Sequence, residues 1–108
     1  MTDRDAVARL RALCGGPRDG ALLRVSLANA LIAAGDRSDA VAELRRATEF
    51  DADYSAAWKL LGRTLAAGGD AVGAAAAYSQ GIAAASKRGD KQAQKEMQVF
   101  LKRLQKVQ

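Results

Sequence analysis

The sequence has no histidine, a single cysteine and a single proline, and its aromatic residues amount to only 5%. Without histidine there is no Ser-His or Cys-His nucleophile arrangement, and the commonest metal ligand is missing. One cysteine and scattered carboxylates cannot assemble a metal site. No apolar run approaches the roughly 18–20 residues of a membrane span. The first residues carry Asp3 and Asp5 and lack the apolar stretch of a secretory signal. With one cysteine this fits a reducing compartment, so a cytoplasmic protein is expected. The glycine segments at 15–20 and 68–69 lack the order of a phosphate loop and read as turns. No catalytic residue and no cofactor is expected.

What the chain does have is alanine, the strongest helix former, with few β-branched residues, so an all-α fold is expected. At 108 residues it can bury roughly two-thirds of its unfolded surface as one domain. The net charge of +5 is unevenly placed: acids and bases balance over 1–86, and the whole excess lies in 87–108.

The stretch Tyr54–Asp70 organises the rest. Trp58, Leu61, Gly62 and Leu65 recur at helical spacing, with the glycine where a neighbouring helix can come close. Shifted back by 34 residues the stretch returns as Gly20–Asp36, with Leu27 over Leu61, Ala28 over Gly62, Leu31 over Leu65 and Gly35-Asp36 over Gly69-Asp70. A fixed period of this size means stacked supersecondary units. The first helix keeps the frame, Ala6 aligning with Ala40 and Ala74 and Leu10 with Leu44 and Tyr78, and reads as half a unit. Helices are expected over 3–14, 20–34, 37–50, 54–68, 70–86 and 90–107, joined by short turns that make neighbours antiparallel. Thr2 with Asp5 forms a capping box, and Asp19, Asp36, Asp53, Asp70 and Asp90 are the expected N-caps. Cys14, on an apolar face, reads as a buried structural cysteine rather than a redox thiol.

Trp58-x-x-Leu61-Gly62-x-x-Leu65 followed by Ala74-x-x-x-Tyr78 resembles the tetratricopeptide repeat, whose signature runs W-x-x-L-G-x-x-Y, A-x-x-x-F and a closing P. Leu65 stands for the usual Tyr, Tyr78 for Phe and Ser86 for Pro. The first repeat departs further, with Arg24 at the Trp place, Ala28 at Gly, Leu31 at Tyr and Leu44 at Phe. The resemblance, closest to the short free-standing repeat proteins of bacteria, implies a right-handed α-solenoid of antiparallel helix pairs. About two and a half units are expected in a single domain over 1–108: a half repeat at 3–20, repeats at 21–54 and 55–88, and a capping helix at 89–108.

The resemblance further implies a non-catalytic interaction module or scaffold that binds a peptide or helix of another protein in a concave groove. Leu22, Val25, Asn29 and Ile32 would line one end of that groove and Lys59 and Arg63 the other, suiting an acidic ligand with an apolar anchor. The carboxylate clamp of chaperone-binding members is absent: of its five places only Asn29 agrees. Between Ala21 and Ala34 only Arg24, Ser26 and Asn29 are polar, and such a helix is normally buried on every side. Cover by the chain itself, or a homodimer formed through this helix, is therefore the competing reading. In the last helix Ala93, Met97, Phe100, Leu101 and Leu104 gather on one side, and Lys91, Lys95, Lys102 and Lys106 form a stripe on the other. A cap with a solvated charged face is favoured. The alternative is a surface for nucleic acid or anionic lipid, but no aromatic in the stripe provides for base stacking.

Overall fold

The computed structural model describes residues 2–107, which form six α-helices in two compact units, Met1–Asp51 and Ala52–Gln108. The first unit holds α1 (Asp3–Arg11), α2 (Ala21–Ala33) and α3 (Arg37–Phe50); the second holds α4 (Ser55–Ala67), α5 (Ala71–Arg88) and α6 (Lys91–Val107).

Each unit is built on a helix hairpin. At the end of α2, Gly35 takes φ 86°, and its N–H donates to the Ile32 carbonyl at 3.0 Å while the Asp36 N–H reaches Leu31 at 2.8 Å. The end of α4 repeats this: Gly69 has φ 89°, its N–H donates to Ala66, and the Asp70 N–H donates to Leu65. This paired closure satisfies the last carbonyls of a helix and needs a left-handed residue that only glycine adopts cheaply. The same closure at Gly89-Asp90 turns α5 into α6. Three Gly-Asp pairs therefore mark three helix-to-helix turns.

The capping pattern is less uniform than the sequence suggests. Thr2 and Asp5 form the reciprocal capping box, Asp70 accepts from the Gly73 N–H at 2.8 Å, and Asp90 from the Ala93 N–H at 3.1 Å. Asp36 stands at its N-cap place without a side-chain cap bond and takes the guanidinium of Arg4 instead. Asp19 and Asp53 are not caps. The N-caps of α2 and α4 are Gly20 and Tyr54; Asp19 turns to Arg24, and Asp53 pairs with Lys87 at 3.0 Å. α1 stops at Arg11, before the expected end, because tight i→i+3 bonds from Leu13 and Cys14 lead into the left-handed Gly15. Cys14 is half-buried, its thiol 3.8 Å from the Leu10 carbonyl, rather than enclosed in the core. α5 runs two residues past the expected 86, to Arg88.

The cores follow the frame. In the first unit Leu27, Ala28, Leu31, Ala40, Leu44 and Ala47 are fully buried, and Val7 brings α1 onto the hairpin. In the second, Ala57, Leu61, Ala74 and Ala85 are fully buried beside Tyr78. Gly62 and Gly81 are close-approach points. A Cβ at Gly62 would lie 2.5 Å from the Tyr78 ring, and one at Gly81 would lie 2.4 Å from Met97 Sδ and 2.8 Å from Trp58 Cβ. Met97, fully buried, and Phe100, with its ring 5.6 Å from that of Tyr78, seat α6 on α5. Burial on this scale stabilises by about 25 cal/mol per Å² of apolar surface.

Candidate partner-binding surfaces

α2 buries Leu23, Leu27, Ala28 and Leu31 towards its own unit. Leu22, Val25, Asn29 and Ile32 fall on its other side at helical spacing. Leu22 is 69% exposed, Ile32 is 39% exposed, Asn29 is exposed and Val25 is half-buried. The competing reading in which the chain itself covers this helix is therefore not met among the described residues. The helix has one core face and one open, nearly uncharged face.

That face is backed by a charged network which the sequence did not reveal. Arg24 sits at the repeat's tryptophan place, its side chain 12% exposed. Its guanidinium holds both oxygens of Asp19, at 2.9 and 2.8 Å, and reaches both of Glu43, at 3.2 and 3.0 Å. Asp19 also accepts the Gly15 N–H at 2.8 Å and the Gly20 N–H at 2.9 Å. These bonds, Arg24 first and Gly15 next, hold the Asp19 carboxyl well below the ordinary carboxylate range and push Arg24 further up. The ring of Phe50 lies under both Arg24 and Arg46, 5.8 and 5.7 Å from their guanidinium carbons. The signal available was the spacing Asp19…Arg24…Glu43, which means little until the hairpin folds. The network fixes the start of α2, and so positions Leu22 and Val25.

Lys59 and Arg63 lie on α4, in the second unit. Lys59 is half-buried, with its ammonium 3.7 Å from Glu96 of α6. Lys59 and Glu96, together with Ser55, Asp90 and Ala93, line a shallow cleft between α4 and α6. Arg63 is exposed, and its charge partly opposes the upward push that burial gives the Tyr78 hydroxyl. The structure thus places the four α2 residues together in one unit and the two basic residues together in the other.

On α6, Lys91, Lys95, Lys102 and Lys106 are exposed, and none forms an ion pair among the described residues. Between them lies Val99, 46% exposed. Lys95, Gln98, Lys102 and Gln105 line a shallow depression flanked by Val99 on one side and Leu101 on the other. Val99 thus sits exposed at the edge of the lysine stripe, away from the main apolar side of the helix. Among the described residues, no three His, Cys, Asp or Glu side chains are placed to hold a metal ion, and no helix is long and apolar enough to cross a membrane.

A family model of the tetratricopeptide repeat matches residues 21–64. The chain is 49% identical over 89 residues to TPR repeat-containing protein PA0015 of Pseudomonas aeruginosa, covering 82% of this chain and 85% of that protein. The solution structure of protein BPP2914 from Bordetella parapertussis superposes with a TM-score of 0.77 at 44% identity, covering 94% of this chain and 88% of that one. Both relatives are bacterial. The 34-residue frame, the Gly-Asp turns and the small residues at close helix contacts carry the same assignment: the chain belongs to the tetratricopeptide repeat family, an all-α helical-repeat fold of the α-solenoid class.

Proposed function

We propose that the protein is a non-catalytic interaction module that receives a peptide or helix of another protein on the open face of α2. Tetratricopeptide repeats mediate protein–protein interaction, and one observation carries the finer reading: Leu22 and Ile32 are exposed on a helix whose sole charge, Arg24, is turned into the Asp19–Glu43 network. An apolar face freed of charge in this way favours an apolar anchor from a partner. Lys59 and Arg63, in the second unit, form a basic surface of their own that suits acidic residues of a partner. The proposed setting is the cytoplasm.

The test is affinity capture from the protein's own cells, comparing wild type with the double variant Leu22→Glu, Ile32→Glu. Both substituted residues are exposed, so the variant keeps its melting temperature while losing the captured partner. Equal recovery by the two proteins removes α2 as the binding face. Arg63→Glu is the matching probe of that basic surface. Lys59→Glu is unsuitable, because it sets a second carboxylate beside Glu96. Sedimentation of the same two proteins separates partner binding from a homodimer formed through α2, which the variant would dissociate.

A further inference from the structure

Tyr78 of α5 is 3% exposed, and its ring touches both other helices of the second unit. On the α4 side its Cζ, the carbon that carries the hydroxyl, lies 2.8 Å from where a Cβ at Gly62 would stand. On the α6 side its ring centre is 5.6 Å from that of Phe100. Among the described residues the Tyr78 hydroxyl has no hydrogen-bond partner, and no sealed side-chain oxygen is left without one. The little of Tyr78 that stays open therefore includes this oxygen. Next to Gly62 on α4 comes Arg63, exposed and in no ion pair among the described residues. One repeat earlier the places of Arg63 and Tyr78 hold Asn29 and Leu44, so the guanidinium and the hydroxyl enter the frame together. We propose that Arg63 and the Tyr78 hydroxyl bind one acidic side chain of a partner protein.

The donors select a carboxylate. Burial pushes the Tyr78 hydroxyl above its ordinary range, with Arg63 partly opposing, so at neutral pH the oxygen keeps its proton and donates. Together the guanidinium and the O–H offer one positive charge and donors for both oxygens of a carboxylate. A cationic side chain is repelled by Arg63. A phosphate group carries nearly two negative charges and calls for a second cation. Lys59, the next along α4, is already 3.7 Å from Glu96. This subsite rests on the basic surface of α4 proposed above and is independent of the α2 face.

The probe is a dye-labelled peptide of alternating glutamate and serine, with a twin that carries glutamine for glutamate. Fluorescence anisotropy with the full chain gives saturable binding of the glutamate peptide and none of the glutamine one. Tyr78→Phe removes the oxygen alone and weakens binding about tenfold, the order expected for one hydrogen bond to a charged group. Its melting temperature is not lowered, because the ring stays and the hydroxyl has no partner within the described chain to lose. Arg63→Gln weakens binding at least as much. The variant Leu22→Glu, Ile32→Glu binds the glutamate peptide as wild type does, which separates this subsite from the α2 reading. Binding lost in Arg63→Gln but unchanged in Tyr78→Phe overturns the subsite while leaving the basic surface of α4 in place. Absent saturation, equal binding of the glutamine peptide, or displacement by inorganic phosphate at a lower concentration than acetate at matched ionic strength also overturns it.

Discussion

Arg24 and Trp58 stand one repeat apart at the same place in the frame, yet their surroundings are chemically opposite. In the first unit Arg24 joins Asp19 and Glu43 in a nearly enclosed ionic cluster. In the second the indole N–H of Trp58 donates to the Ala52 carbonyl at 2.8 Å, and its Cβ lies against Gly81. The exchange is not confined to one position. Glu43 has Ala77 as its counterpart, which can accept no side-chain bond, and Asp19 has Asp53, which turns to Lys87. Ala47 becomes Gly81, clearing the space that Trp58 and Met97 occupy. Ala28 and Leu44 become Gly62 and Tyr78, a smaller residue paired with a larger one. The repeat fixes the helices and their turns, while the residues between them change in compensating sets.

The Gly62–Tyr78 set gives the largest expected effect. Gly62→Ala places a methyl 2.5 Å from a ring that is 3% exposed and already against Phe100. Overpacking costs about 1–3 kcal/mol, against up to about 1 kcal/mol gained by removing glycine from a helix interior. The net change is destabilising. Adding Tyr78→Leu recreates the Ala28–Leu44 pair, so the double variant loses less than the sum of the singles. The coupling read from urea midpoints falls within about 0.5–3 kcal/mol. Additive losses would mean that the two sets are not exchangeable and that the repeats pack by different rules.

A smaller loss is expected from the ionic set. Arg24→Met strands the Asp19 and Glu43 carboxylates, 11% and 17% exposed, without a cation. Leaving a charge uncompensated costs more than the intact network contributed. The triple variant Arg24→Met, Asp19→Asn, Glu43→Gln therefore recovers most of the stability lost by the single one. If the single and triple variants melt together, the network has no energetic role and Arg24 is only a space-filler at the tryptophan place.

The sequence was most legible where local chemistry decides. The turns at Gly35-Asp36 and Gly69-Asp70 and the alanines at close contacts follow from backbone geometry and residue volume, and the structure has them. It was least legible where one side chain has several partners to choose from. Asp36 stands at its N-cap place and Asp19 and Asp53 one residue before theirs, and each finds a cation in the folded chain. The face of α2 was legible residue by residue, but its exposure stood against cover by the chain or a second copy, because composition alone cannot separate a core helix from a half-open one. Val99 went unnoticed because it lies between lysines, where periodicity gives it no weight.

The smallest expected effect is a pH dependence, and it isolates one residue of the comparison. Asp19 in the folded protein titrates well below its ordinary value, through Arg24 first and the Gly15 N–H second, while Arg24 stays charged at every accessible pH. A folded-state value below the unfolded one stabilises the protein above the unfolded carboxylate value of about 4, and that stabilisation is lost as pH falls through the folded value. Urea midpoints of wild type should therefore drop from about pH 4 downward, and those of Asp19→Asn should drop less steeply over the same interval. Asp5 is also lowered, by its bonds to the Thr2 backbone N–H and hydroxyl, but it is common to both proteins and cancels in the difference. Asp53, the counterpart of Asp19 in the second unit, pairs instead with Lys87 at the surface, 41% and 72% exposed, and such pairs contribute little. Parallel curves for wild type and Asp19→Asn would mean that Asp19 is held no more tightly in the folded chain than in the unfolded one, and the contrast between the two units would then rest on packing alone.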